Sequence, residues 1–221
     1  MLININEWMV RKKEFWNRLW EDLEIGYLDE DLLPLLIRLN MDKNVYTLSS
    51  CSGRIVFSDS TYPWSREETS IVFKKHEPIT LKDFYDVVDK PVIRRLWLNV
   101  TGPIIHVSTC KPSYTSKILK LARIAGLKHS GILSINRSKG IILELMSGIK
   151  VTQLIKVDNK VFINDERVEE FIDIVNKTLL EGKKLVFKLT KLVEKELPVE
   201  RDDFILNDLE NRLADKRIKY I

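Results

Sequence analysis

The chain has 221 residues, 44% apolar and 31% charged, enough to bury a sizeable core. Its net charge of +4 excludes a histone-like polycation, and two cysteines without CxxC or finger spacing exclude a disulfide framework. No apolar run reaches the roughly 18 residues of a membrane helix, and the start lacks a signal segment. The expectation is a cytoplasmic protein with reduced thiols and no membrane partner.

Residues 6 to 24 repeat apolar side chains at helical spacing (Phe15, Trp16, Leu19, Trp20, Leu23), and Gly26 ends that helix. LDEDLLPLLIRLN opens a second helix, with Asp29 as its N-cap and Pro34 inside it as a kink. After Asn44 the period becomes that of strands: VYTL and RIVFS flank an SSCSG turn, and TSIVFKK is a further strand. TLKDFYDVVDK is a short helix capped by Thr80, and RRLWLNV and IIHVST are β-rich runs separated by Thr101-Gly102-Pro103. SYTSKILKLARIAG is an amphipathic helix that Gly126 ends. GILSINRS, GIILELM and KVTQLIKV are three more strands, with a hairpin across Asp158-Asn159. Val168, Ile172, Val175, Leu179, Gly182, Val186, Leu189 and Val193 then trace a heptad-like seam along one long helix. Pro198 closes it, and a last polar helix runs to the basic end DKRIKYI.

The strands follow one another too closely for βαβ alternation, and the eight glycines form neither GxGxxG nor a Walker loop. The expected fold is therefore α+β: a mixed, mainly antiparallel sheet body with flanking helices and a long C-terminal helix, not a Rossmann fold. The expected organisation is a single domain, with a helical N-terminal segment 1–40, an α/β core 41–165 and C-terminal helices 166–221. The seam is expected to pack within a monomer.

The Ser49–Arg54 turn has two physical readings. Its clustered backbone N–H groups, with Arg54 alongside, suit an anion. A tight or bulged hairpin, with Gly53 at positive φ and Cys51 packed inward, also accounts for the sequence. Cys51 with His106 as a thiol–base pair, and Cys51, Cys110, His106 and His76 as a zinc set, are further readings. Lys111, Lys117, Lys120, Arg123 and Lys128 lie on and around the amphipathic helix, with Arg137 and Lys139 in the next turn. With Arg94, Arg95, Trp64, Trp97 and Tyr114 interspersed, they suit an RNA loop. Taken alone, the patch slightly favours an ordinary solvated helix face with ordinary lysine content.

Taken in order, GYLDEDLLPLLIRLN, VYTLSSCSGRIVF, GPIIHVSTC and LARIAGLKHSGI resemble the wybutosine-synthesising tRNA methyltransferases, the third-step enzymes of that pathway, over about residues 15 to 155. The resemblance implies S-adenosylmethionine-dependent N4-methylation of a 4-demethylwyosine-type tricyclic guanosine, 3′ of the anticodon in tRNA-Phe. It implies a non-Rossmann fold, the anticodon stem-loop of tRNA-Phe as partner, and no metal. His106 is then the catalytic proton acceptor or base-orienting donor, since histidine titrates near neutrality. Cofactor or substrate is expected at Ser49, Ser50, Cys51, Ser52, Gly53 and Arg54, with His76, Pro103 and the acidic pair Asp29 and Glu30. RNA is expected at the basic set from Lys111 to Lys139. The chain departs from the family pattern at Gly102, where an acidic residue is usual, and near Ile71, where a tryptophan is usual. These departures keep open a non-catalytic RNA-binding module on the same scaffold.

Overall fold

The computed structural model describes residues 2–158 and 160–214, the side chain of Arg66 apart. The chain forms two compact units and passes between them at Ser52/Gly53, Gly102/Pro103, Ser147/Gly148 and Lys184/Leu185. The basic end DKRIKYI lies outside the described residues.

The first unit holds the chain up to Ser52, Pro103–Ser147 and the residues from Leu185 onward. Helix α1 (Ile5–Glu24) starts at Asn4, whose side chain accepts the Glu7 N–H, and buries Trp8, Lys12, Trp16, Leu19 and Trp20. Next come a 3-10 turn (Glu30–Leu32) and α2 (Leu33–Asn40). Pro34 stands in the first turn of α2, where its missing N–H costs nothing, so the expected internal kink is corrected to a helix start. Strands β1 (Val45–Cys51), β5 (Ile104–Thr109), β6 (Gly131–Asn136) and β7 (Gly140–Met146) make one antiparallel sheet in the order β1-β5-β7-β6. Helix α4 (Pro112–Ala125) ends at Gly126 in the left-handed region, φ 111°. Leu121, Ala122 and Ala125 from α4, Trp16 and Trp20 from α1, and Val107, Leu143 and Leu145 from the sheet share one core. Burying each large side chain there contributes about 1.5–3 kcal/mol.

The second unit holds Gly53–Gly102 and Gly148–Lys184. Its strands β2 (Arg54–Asp59), β3 (Ser70–Lys75), β4 (Arg95–Thr101), β8 (Lys150–Val157) and β9 (Lys160–Val161) form an antiparallel sheet in the order β3-β2-β4-β8-β9. Strand β4 alternates buried and half-buried residues, the period of a strand with one face on the core. The β8–β9 hairpin places Asp158 at φ 50° in its turn. Helix α3 (Leu81–Val88) carries the expected Thr80 cap, a reciprocal capping box with Asp83.

Two expectations meet the long helix and the SSCSG turn. Helix α5 (Val168–Glu196) is continuous. Its seam is buried inside the chain: Val168, Ile172, Val175 and Leu179 in the core of the second unit, Val186, Leu189 and Val193 in that of the first. The SSCSG segment is not a hairpin, and that reading is corrected here. Strand β1 pairs with β5 while β2 pairs with β3 and β4, so the turn carries the chain from one sheet to the other. Gly53 does sit at positive φ, 121°, and a Cβ there would stand 2.8 Å from the Thr101 carbonyl oxygen.

The first unit also buries a charge. Lys12 is fully buried, donates to the Asp42 carbonyl and lies 2.9 Å from Asp202 Oδ2. Burial pushes its pKa down, and the Asp202 carboxylate opposes that shift. Asp42 in turn accepts the N–H of Glu200 and of Asn44, so one ammonium ties α1 to the β1 entry and to the segment after α5. Lys12→Ala strands the Asp202 carboxylate and should cost about 3–5 kcal/mol. The double replacement Lys12→Met/Asp202→Leu should recover most of it, as read by the urea-unfolding midpoint.

Candidate active site

The centre of the site is an irregularity in strand β1. Thr47 pairs with Val107 and Ser50 with Ile105, so three steps along β1 match two along β5. The extra residue is a β-bulge, which leaves one residue unpaired and re-aims neighbouring groups. The Ser49 carbonyl oxygen accepts a hydrogen bond from His106 Nδ1 at 2.9 Å, and His106 projects from β5 opposite the bulge. A carbonyl can only accept, so Nδ1 carries the proton. His106 Nε2 lies 3.2 Å from Glu144 Oε1, on the β7 residue directly across the ladder. The imidazole thus donates through Nδ1, has a carboxylate oxygen beside Nε2, and remains partly exposed.

The same bulge borders a cleft. Phe15, Arg18, Leu19 and Asp22 from α1, Tyr27, Leu28 and Leu36, and Thr47 to Ser50 from β1 line it. Its polar groups come from one side of α1 and from the bulge, with Arg18 Nε 3.5 Å from Asp22 Oδ2. Tyr27 and Phe15 supply aromatic surface, and Phe15 stacks on the buried Tyr46 at 5.5 Å and 21°. That mixture of aromatic and polar groups suits a small-molecule ligand.

Asp29 was expected as a helix cap, and its backbone does stand at the N-cap of the 3-10 turn. Its carboxylate makes no cap bond and instead accepts the Ser52 N–H at 2.7 Å, which corrects that reading. The same contact bears on the anion-nest reading, because the Ser52 amide already faces a carboxylate of the protein. Ser50 Oγ donates to the Leu48 carbonyl, and Ser50 and Cys51 pair with Ile105 and Ile104. Glu30 is exposed and Pro103 is buried at the entry to β5. Gly53, Arg54 and His76 belong to the second unit, where Arg54 is exposed and His76 half-buried. Cys110 donates to Asn44 Oδ1 at 3.6 Å, and burial raises its pKa, which disfavours the thiolate a zinc site needs.

Of the basic set, Lys117, Lys120 and Arg123 repeat every third residue along the exposed face of α4, and Lys128 is exposed just beyond it. Arg137 and Lys139 occupy a built β6–β7 turn. Asn136 Oδ1 accepts from Ser138 and Lys139 N–H, and the Lys139 carbonyl accepts from Tyr46 and Ser108. Lys111 is otherwise engaged: its Nζ lies 3.1 Å from both Glu200 oxygens. Glu144, Arg18, Asp22 and Tyr27 were not among the sequence candidates. Glu144 is legible only once β5 and β7 are put in register, and the others only once α1 lies against β1.

The family described as Methyltransferase TYW3 matches residues 10–195. The chain is 41% identical over 187 residues, 84% of its length and 89% of the relative's, to the tRNA(Phe) 7-((3-amino-3-carboxypropyl)-4-demethylwyosine(37)-N(4))-methyltransferase of Saccharolobus solfataricus. It is 30% identical over 165 residues to the Aeropyrum pernix protein of the same name, covering 75% of this chain and 87% of that one. The solved PH1069 protein from Pyrococcus horikoshii superposes with a TM-score of 0.80 at 28% identity, over 86% of this chain and 97% of that one.

Lys111 and Lys43 hold the Glu200 carboxylate at a pKa of about 2, with Asn44 assisting. A carboxyl whose folded pKa lies below its ordinary value stabilises the fold above that value and ceases to as pH falls through the lowered one. Glu200→Gln should therefore flatten the loss of stability between about pH 4.5 and 2, read as denaturant midpoint against pH.

Proposed function

The chain belongs to the TYW3 methyltransferase family, and we propose that it methylates the N4 ring nitrogen of a 4-demethylwyosine-type base in tRNA(Phe), with S-adenosylmethionine as donor. The observation that carries the mechanism is the bulge-held His106–Glu144 pair beside the Phe15–Ser50 cleft. A tRNA-modifying enzyme of this kind works in the cytoplasm.

The cleft fits the donor by its chemistry. Arg18 is placed to hold a carboxylate and Asp22 an ammonium. The Ser49 and Ser50 hydroxyls add hydrogen bonds, and Tyr27 offers a face to a purine. When bound, S-adenosylmethionine supplies an electrophilic methyl on sulfur, so the protein needs no covalent intermediate and Cys51 no nucleophilic role.

The chain's own task is to align the acceptor and take up a proton. Methylation of a ring N–H forms the N–C bond, releases the thioether and leaves one proton to be removed. His106 Nδ1–H is fixed on the Ser49 carbonyl, so Nε2 is the position that accepts it. The imidazolium then formed is stabilised by the Glu144 carboxylate at 3.2 Å. Lys117, Lys120 and Arg123 on α4, with Arg137 and Lys139, would hold the phosphates of the anticodon stem-loop.

The test is transfer of labelled methyl from S-adenosylmethionine to tRNA(Phe) taken from a strain lacking this gene, with nucleoside mass analysis. The wild type should add one methyl to the tricyclic base. His106→Ala should lower the single-turnover rate roughly 10²- to 10⁴-fold, and Glu144→Gln less, with tRNA affinity retained. Affinity should fall linearly in log–log form with salt, and Lys120→Ala/Arg123→Ala should reduce that slope. Binding of tRNA without methyl transfer by the wild type would contradict the reading.

A further inference from the structure

The second unit carries a feature that its core does not use. Tyr62 and Trp64, on the connection between β2 and β3, stack with ring centroids 5.0 Å apart and planes 7° from parallel. Trp64 is 73% exposed and Tyr62 44%. Other aromatic pairs of that unit, such as Phe57–Phe73 and Phe57–Phe84, meet edge to face at 79° and 66° inside or against its core. Leaving a tryptophan in water forgoes a large share of the burial free energy its ring could contribute. Its position therefore suggests a surface kept for a ligand.

The stack is held rather than loose. The Ser65 N–H donates to the Tyr62 carbonyl, Thr69 Oγ1 to the Ser65 carbonyl and Thr61 Oγ1 to Glu68 Oε2. The Ser60 N–H donates to the Arg95 carbonyl, and Trp97 Nε1 to the Ser60 carbonyl. Arg95 donates to the Thr61 carbonyl at 2.8 Å while its guanidinium lies 5.2 Å from the Tyr62 ring centroid. Arg94, partly exposed, adds a second cation, 3.8 Å from Glu68. The loop thus presents a flat, outward-facing indole on a pre-ordered base, with two arginines alongside.

An aromatic plane next to guanidinium groups matches the chemistry of an unpaired nucleotide: the base stacks on the ring, and the phosphate finds the cation. We propose that Trp64, supported by Tyr62 and Arg95, is a stacking platform for an unpaired nucleobase of the RNA substrate. This rests on the RNA reading above and adds a contact in the second unit that the basic residues of the first do not supply. A protein partner would find indole and arginine attractive too, but would show no preference for unpaired over paired RNA.

The test uses the full chain and a fluorescein-labelled tRNA(Phe) anticodon stem-loop transcript, with fluorescence anisotropy as readout. A fully paired RNA of equal length is the control. Trp64→Ala should weaken stem-loop binding roughly 5- to 150-fold, and Trp64→Phe should restore most of it. The paired control should bind wild type and Trp64→Ala alike. In methyl transfer, KM should rise in step with the lost affinity and kcat should stay near wild type. An unchanged thermal midpoint is expected, because the ring is outside the core. Equal binding of the stem-loop by Trp64→Ala and wild type, with wild-type methyl transfer intact, would overturn the platform alone. Failure of the wild type to bind the stem-loop would overturn platform and RNA reading together.

Discussion

The fold turns on one hydrogen bond: the Ser49 carbonyl, at the extra residue between Thr47 and Ser50, accepts from His106 Nδ1. That one hydrogen bond selects the imidazole tautomer and leaves Nε2 beside Glu144, which the ladder sets directly opposite His106. The bulged residues also wall the cleft, so the proposed proton acceptor and donor pocket share one stretch of backbone. A bulge embedded between paired residues on both sides is a rigid way to hold such a geometry.

The surroundings keep that stretch in place. On one side, Asn40 donates to Thr47 Oγ1 and accepts the Thr47 N–H, fixing β1 just before the bulge. On the other, Asp29 accepts the Ser52 N–H just after it. Buried Lys12 joins α1, which supplies Arg18 and Asp22 to the cleft, to the Asp42 corner that leads into β1. A buried ammonium is a costly way to gain stability, since an apolar replacement of the pair could do as well. Its value here is that the ammonium is satisfied only when three separate segments take one arrangement.

Much of the architecture could be read from local pattern. The α1 and α4 stripes, the Thr80 capping box, the αL glycine after α4 and the α5 seam are set by residues near one another in the chain. The missing glycine loops rightly pointed away from a Rossmann fold, and the quoted motifs led to the family that the comparisons show. What local pattern missed depends on pairing partners. SSCSG has the composition of a hairpin, yet its strands join different sheets, a choice made by β5 and β4 far along the chain. Pro34 looked internal because the preceding turn is 3-10 and hides where the α-helix begins. Glu144 carries no signature in GIILELM and gains its place only from β5–β7 register. Lys111 reads as a surface lysine until Glu200, 89 residues away, is brought beside it.

The proton-accepting role of His106 Nε2 is the point on which the mechanism stands. Its most direct test is single-turnover methyl transfer, with tRNA and donor saturating, for wild type and His106→Gln. The account predicts that His106→Gln, whose amide can hydrogen-bond but cannot take up a proton, lowers the rate roughly 10²- to 10⁴-fold. A wild-type rate in His106→Gln would contradict it and place the proton acceptor elsewhere.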